Sequence, residues 1–199
     1  MTYYKALKAG RRATNADYRY PTQGWTKHLA PETLTLCKIG YHIARDSQVL
    51  GWLNEELWEA EPCPDHPVVG ADDKVVTCKV RLVRRVDGWN ERTARLFAAD
   101  CAEMTLLGER ASGREPDERS WAAVGVVRRY AVGDATAEDL VAARDAARDA
   151  AWAAARDAAR AAARDAAWDA ARERLYARLR LYLDGAELPP VEPLYGVPA

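Results

Sequence analysis

The chain has 199 residues, with 49% hydrophobic and 30% charged residues, a composition that excludes a mainly disordered polypeptide. Its 29 Lys+Arg against 30 Asp+Glu give a net charge of −1, which excludes a general nucleic-acid coat or a polybasic membrane binder. No apolar run approaches the roughly 20 residues of a membrane span, and the opening MTYYKALKAGRR lacks the apolar core of a secretory signal. A cytoplasmic protein with no membrane partner is expected.

Residues 3–8 read as a first strand. Residues 9–32 hold Gly10, Pro21, Gly24 and Pro31 among Tyr18, Tyr20 and Trp25, and read as a long aromatic loop packed on a sheet. TLTLCKI at 33–39 alternates as a strand does. Asp46 or Ser47 is placed to cap a short helix through Leu53. Residues 55–61 read as a further strand, and Pro62 to Asp73 as a Pro-rich connection. KVVTCKVRLVRRV at 74–86 is the clearest strand, with Val76, Cys78, Val80 and Leu82 on one face and Thr77, Lys79 and Arg81 on the other.

The second half reads as helical. Residues 90–107 set Ala94, Phe97, Cys101 and Met104 on one helix face. Gly108 to Pro116 reads as a polar loop, and 117–130 as a second helix with Trp121, Val124 and Tyr130 as core candidates. Thr136 and Asp139 form a capping box for the next helix. From 142 to 173 run eight tandem units, AARD AARD AAWA AARD AARA AARD AAWD AARE. No Gly or Pro interrupts Thr136 to Asp184, so a helix of about 47 residues, roughly 70 Å long, is allowed. Each unit advances about 40° round the axis, so the row of Arg and Trp winds slowly rather than forming one stripe. Leu175, Leu179, Leu183 and Tyr182 give its end a stronger apolar face, and Gly185 with Pro189-Pro190 stops it. The expected fold class is α+β: a small β-rich domain over 1–88, a helical region over 89–184 with one very long or broken Ala-rich helix, and an extended Pro-rich tail over 185–199.

The chemistry-bearing residues are sparse. The four cysteines, Cys37, Cys63, Cys78 and Cys101, are expected as free thiols. Cys37-x4-His42 and Cys63-x2-His66 space their donors loosely for zinc, and Pro62, Pro64 and Pro67 crowd the second pair, so no metal and no cofactor is expected. A candidate ligand pocket gathers Tyr4, Trp25, Tyr41, His42 and Arg45, with Glu55, Glu56 or Glu59 as the only acids at hand and no Gly-rich phosphate loop. His42 has a competing structural reading, as the cap of a turn. In the repeat, Trp152 and Trp168 with Arg148, Arg156, Arg160 and Arg164 form a candidate partner-binding surface. Arg81, Arg84, Arg85, Arg92 and Arg95 read as solvated faces, so nucleic acid is not an expected partner.

Two resemblances add to this reading. Tyr4-Lys5-Ala6-Leu7, Cys37-Lys38-Ile39-Gly40-Tyr41-His42, Trp52-Leu53, Leu57-Trp58-Glu59 and Asp73-Lys74-Val75-Val76 together resemble a domain of unknown function found in bacteria and phages, over residues 3–86. Trp89 to Glu103, Arg128-Arg129-Tyr130-Ala131, Gly133 to Thr136 and the Ala-rich helix resemble immunity proteins of bacterial toxin systems, over 89–183. The second resemblance implies a stoichiometric inhibitor of immunity, antitoxin or phage counter-defence (anti-CRISPR) type, bound to a toxin, nuclease or defence complex. No catalytic residue is assigned, and an enzyme is not the expected reading. Two alternatives stay open: a structural protein self-associating through the Ala-rich helix, and a small-ligand or nucleotide-handling domain around His42.

Overall fold

The computed structural model describes the backbone of residues 1–146 and 165–196, and the side chains of 1–146 and 170–196. The chain is α+β and divides into two compact units, Met1–Asn90 and Glu91–Ala199.

The first unit contains one antiparallel sheet. Its strands are β1 (Tyr3–Leu7), β2 (Tyr41–Arg45), β3 (Glu56–Pro62), β4 (Val69–Gly70), β5 (Val75–Thr77) and β6 (Val80–Arg85), in the order β4-β5-β2-β1-β3-β6. That order puts three strands between β5 and β6, a flat-sheet separation of about 19 Å at about 4.8 Å per strand. Only Cys78 and Lys79 join them, and three Cα steps reach at most about 11 Å. The sheet therefore curls until its two sides meet at Cys78–Lys79. Cys63, just past β3, clasps the seam by donating its N–H to the carbonyl of Lys79 (3.0 Å) and to Oγ1 of Thr77 (3.2 Å). One cluster fills the curl, with Leu7, Tyr41, Ile43, Ala60, Val75, Val80 and Leu82 from five strands and Tyr20 from the aromatic loop.

The aromatic loop packs on the sheet as its composition implies. Tyr18 and Tyr20 meet edge to face at 5.0 Å, and Tyr20 meets Tyr41 likewise at 6.1 Å. Farther along, Thr26 donates to the Val80 carbonyl (3.0 Å) and Leu29 to that of Cys78 (2.9 Å), so residues 26–29 cover the free edge of β6.

Two strand expectations are corrected. Residues 33–39 are not a strand. Pro31–Thr33 is a 3-10 turn, Thr35 and Ile39 close a bend, and the strand begins at Tyr41. The cause is the turn itself: Cys37 and Gly40 have φ of 64° and 124°, and a Cβ at position 40 would lie 2.1 Å from Cγ2 of Val76. The strand expected over 74–86 breaks at the seam. There Thr77 turns inward, fully buried, rather than outward. The short helix at 46–53 is a 3-10 helix, Asp46–Trp52.

The second unit begins with α1 (Glu91–Ala111) and α2 (Glu118–Val132). Asp117 caps α2 by accepting the Arg119 N–H at 2.8 Å, and Gly133 ends it at φ 89°. Residues 137–146 are helical, opened by the expected reciprocal box: Asp139 donates its N–H to Oγ1 of Thr136 (3.1 Å) and accepts the Thr136 N–H (2.9 Å). A third named helix, α3, spans Asp165–Asp184. Whether one helix joins these two stretches lies outside the described residues. Phe97, Met104, Val124, Leu179, Tyr182 and Leu183 are buried in this unit.

The loop expected from Gly108 is displaced, because α1 runs on to Ala111. Gly108 is needed for contact: a Cβ there would meet the Tyr195 ring at 3.0 Å. The tail docks on α1 through this ring and through Leu194, which donates to the Met104 carbonyl at 2.8 Å. Arg174 donates to the Pro193 carbonyl at 2.8 Å.

Candidate functional site

The site arises from a mismatch of strand lengths. β1 pairs with β3 along all of Tyr3–Leu7, but with β2 only at Tyr3↔Arg45 and Tyr4↔Ala44. Beyond Tyr4, β2 leaves β1 and pairs with β5 through Tyr41–Ile43. The wedge between the diverging strands is a pocket of about 290 Å³, near the lower end of the range for small-molecule sites.

Lys5 occupies this wedge. It alternates with Tyr3 and Leu7 on the core-facing side of β1, a side otherwise apolar. Its ammonium donates to the His42 carbonyl at 2.7 Å and lies 5.2 Å from the centre of the Tyr20 ring. Among the described residues no carboxylate pairs with it. Desolvation lowers its pKa from the usual 10.5 to about 8. Lys38 and Lys74 also line the pocket, and no lining residue is an Asp or Glu. Lys74 reaches over the Trp52 ring at 4.7 Å and pairs with Asp73 at 2.9 Å. The pocket is thus a cationic cleft with aromatic walls, suited to holding an anion.

His42 lines the pocket but is committed to the turn: its Nε2 accepts the Cys37 N–H at 2.8 Å, which holds Cys37 in its left-handed conformation. Burial first, then the Lys5 and Lys74 charges, lower its pKa from 6.5. The imidazole is neutral at neutral pH and acts as an acceptor, in keeping with the structural reading of this residue.

The structure brings together only part of the expected pocket. Tyr4 and His42 line it. Tyr41 is buried in the core, donating its hydroxyl to the Lys27 carbonyl (3.0 Å). Trp25 stacks beneath Lys79 and Arg81, at 4.9 and 5.2 Å. The Arg45 guanidinium lies over Gly70, where an added Cβ would meet it at 3.0 Å. The three candidate acids are engaged elsewhere. Glu55 accepts from Ala9 (3.3 Å), and Glu59 pairs with Arg84. Glu56 accepts from Gly10 (2.8 Å) and from Trp58 Nε1 (2.9 Å). Burial raises the Glu56 carboxyl, but the Trp58 and Gly10 hydrogen bonds outweigh it and hold the group below its ordinary range.

Of the partner-binding candidates, Arg148, Trp152, Arg156, Arg160 and Arg164 lie outside the described residues, as does the side chain of Trp168. Several residues carrying the second resemblance build an internal network instead. Asp100, 3% exposed, accepts from Arg128 (2.7 Å), from Arg178 Nε (2.8 Å) and from the Tyr182 hydroxyl (2.5 Å). Glu103 also pairs with Arg128. The basic cluster is largely neutralised: Arg81 pairs with Glu61, Arg84 with Glu59 and Arg95 with Glu91.

No family model, no curated protein and no solved structure matches the chain. Among the described residues no helix is long and apolar enough to cross a membrane.

Proposed function

We propose that the first unit binds a small anionic ligand, of phosphate- or carboxylate-bearing type, in the wedge between β1 and β2. The observation that carries this reading is Lys5, a core-facing ammonium with one hydrogen-bond acceptor, no carboxylate partner among the described residues and an open pocket in front of it. An uncompensated charge in such a place lowers stability, and perturbed groups of this kind cluster at functional sites. Lys38 and Lys74 add attraction at the same pocket, and Tyr4 and Trp52 offer surface to an organic moiety. Glu55, Glu56 and Glu59 are engaged elsewhere, which favours binding over turnover.

The test is a titration of pyrophosphate, nucleoside monophosphates and small dicarboxylates against wild type and Lys5→Met, read by calorimetry. Binding by wild type that falls at least about tenfold in Lys5→Met, and that weakens as pH rises through about 8, supports the reading. Absence of binding by every anion, or equal binding by both proteins, overturns it.

For the second unit the inhibitor reading stands as a separate proposal. It is supported by the resemblance over 89–183 and by the Trp/Arg rows of the repeat. A stoichiometric partner captured by wild type and lost in the Trp152→Ala/Trp168→Ala double variant is the expected result. Capture of nothing by either contradicts it.

A further inference from the structure

The seam that closes the sheet gathers soft donors from three distant segments. The imidazole of His28 and the thiols of Cys63 and Cys78 place their donor atoms within 4.8 Å of one another. Both thiols are buried, at 3% and 1% exposure. His66 stacks on His28 with ring centres 5.7 Å apart and planes 20° from parallel, bringing a second imidazole beside the cluster.

The backbone beside His28, Cys63 and Cys78 is tied by hydrogen bonds. Leu29, next to His28, donates to the Cys78 carbonyl at 2.9 Å, and Cys63 donates to the Lys79 carbonyl at 3.0 Å. Thr26 and Val80 exchange two bonds, Thr26 N–H to the Val80 carbonyl at 3.0 Å and Val80 N–H to Thr26 Oγ1 at 2.9 Å. The donors are therefore positioned by main-chain contacts that do not depend on the donors themselves.

We propose that His28, Cys63 and Cys78, completed by His66, form a tetrahedral zinc site that staples the seam. Two thiolates and two imidazoles are the ligand set that zinc takes in closed structural sites. A zinc–sulfur distance of about 2.3 Å puts tetrahedral donors about 3.8 Å apart, so modest side-chain rotations close the present cluster on an ion. Binding releases the thiol protons, and the metal joins positions 28, 63, 66 and 78, fixing the flap at 26–29 and the start of β6 together. This assignment differs from the pairing that sequence spacing offers. Cys37 and His42 are bound to each other through the Cys37 N–H, in the turn beside the pocket.

The experiment uses the full chain in reducing buffer. Zinc is measured by atomic emission after exhaustive desalting, and the protein stripped of metal is then titrated with Co(II). The proposal predicts about one zinc per chain. It also predicts a cobalt spectrum with thiolate charge-transfer bands and intense visible bands of tetrahedral geometry, which needs no variant to fold. Cys63→Ser and Cys78→Ser weaken zinc binding by about tenfold or more, His28→Ala and His66→Ala weaken it less, and Cys37→Ser leaves it unchanged. Four freely titrating thiols in the zinc-treated protein, an octahedral cobalt spectrum without thiolate bands, or loss of zinc in Cys37→Ser would each overturn the assignment.

Discussion

Each unit encloses a charged side chain, Asp100 in the second and Lys5 in the first, and the two are treated in contrasting ways. In the second unit Asp100 is surrounded: Arg128, Arg178 and the Tyr182 hydroxyl all donate to it, and Arg178 also donates to the Pro189 carbonyl at 2.7 Å. The carboxylate ties α1, α2, α3 and the tail into one body. Burial and the Asp100 contact hold the Tyr182 hydroxyl above its ordinary range, so it stays a donor at any physiological pH. In the first unit Lys5 has one carbonyl and the face of an aromatic ring. A saturated buried charge marks architecture, whereas an unsaturated one facing a cavity marks a place kept for something else. The contrast separates a structural network from a candidate binding site without any appeal to relatives.

The contrast predicts effects of opposite sign. The largest falls on Asp100: Asp100→Ala leaves Arg178 without its carboxylate and Arg128 with Glu103 alone, and costs about 3–5 kcal/mol, seen as a lowered denaturant midpoint for the second unit. The next is Lys5→Met, which removes an uncompensated charge while keeping the side-chain volume. It stabilises the first unit by about 1–3 kcal/mol at pH 7, read as a raised midpoint.

That gain depends on pH with a defined sign. Lys5 has its folded pKa lowered to about 8 against 10.5. Below pH 8 it is charged in both states and the folded protein carries the full desolvation penalty. Between about 8 and 10.5 the unfolded chain binds more protons, so wild type gains stability and the gap to Lys5→Met narrows. A gap that widens with rising pH would refute this view of Lys5. A smaller effect belongs to Tyr182→Phe, which removes one of three donors to Asp100 and costs about 1 kcal/mol. The smallest is Arg84→Ala, whose partner Glu59 sits across the outer face of the sheet: a change under about 0.5 kcal/mol is expected from chemical denaturation.

Much of the fold was legible in the sequence because periodicity and caps speak locally. The strands at 3–8 and 55–61, the helix cap at Thr136 and the stop at Gly185 follow from residues a few positions apart. The misplaced strand at 33–39 shows the limit. Its apolar alternation is real, yet Ile39 is 45% exposed, and the turn at Cys37–Gly40 carries the chain away before pairing begins. The break at Cys78–Lys79 was hidden for a different reason. It is imposed by closure of the sheet, a property of all the strands together.

The site divides in the same way. Lys5 was within reach, since its alternation with Tyr3 and Leu7 puts an amine on an apolar face. His42 was legible as the cap of a turn. The grouping of His28 with Cys63 and Cys78 was not, because 35 and 50 residues of chain separate His28 from its neighbours and only the curl of the sheet brings them together.

The most direct test of the contrast is the ionisation of Lys5 itself, followed by NMR of its side-chain ¹³Cε through a pH titration with and without pyrophosphate. Titration near 8 in the free protein, moving upward when the anion is bound, is the predicted result. A Lys5 that titrates with the surface lysines near about 10.4 and ignores the anion would contradict it.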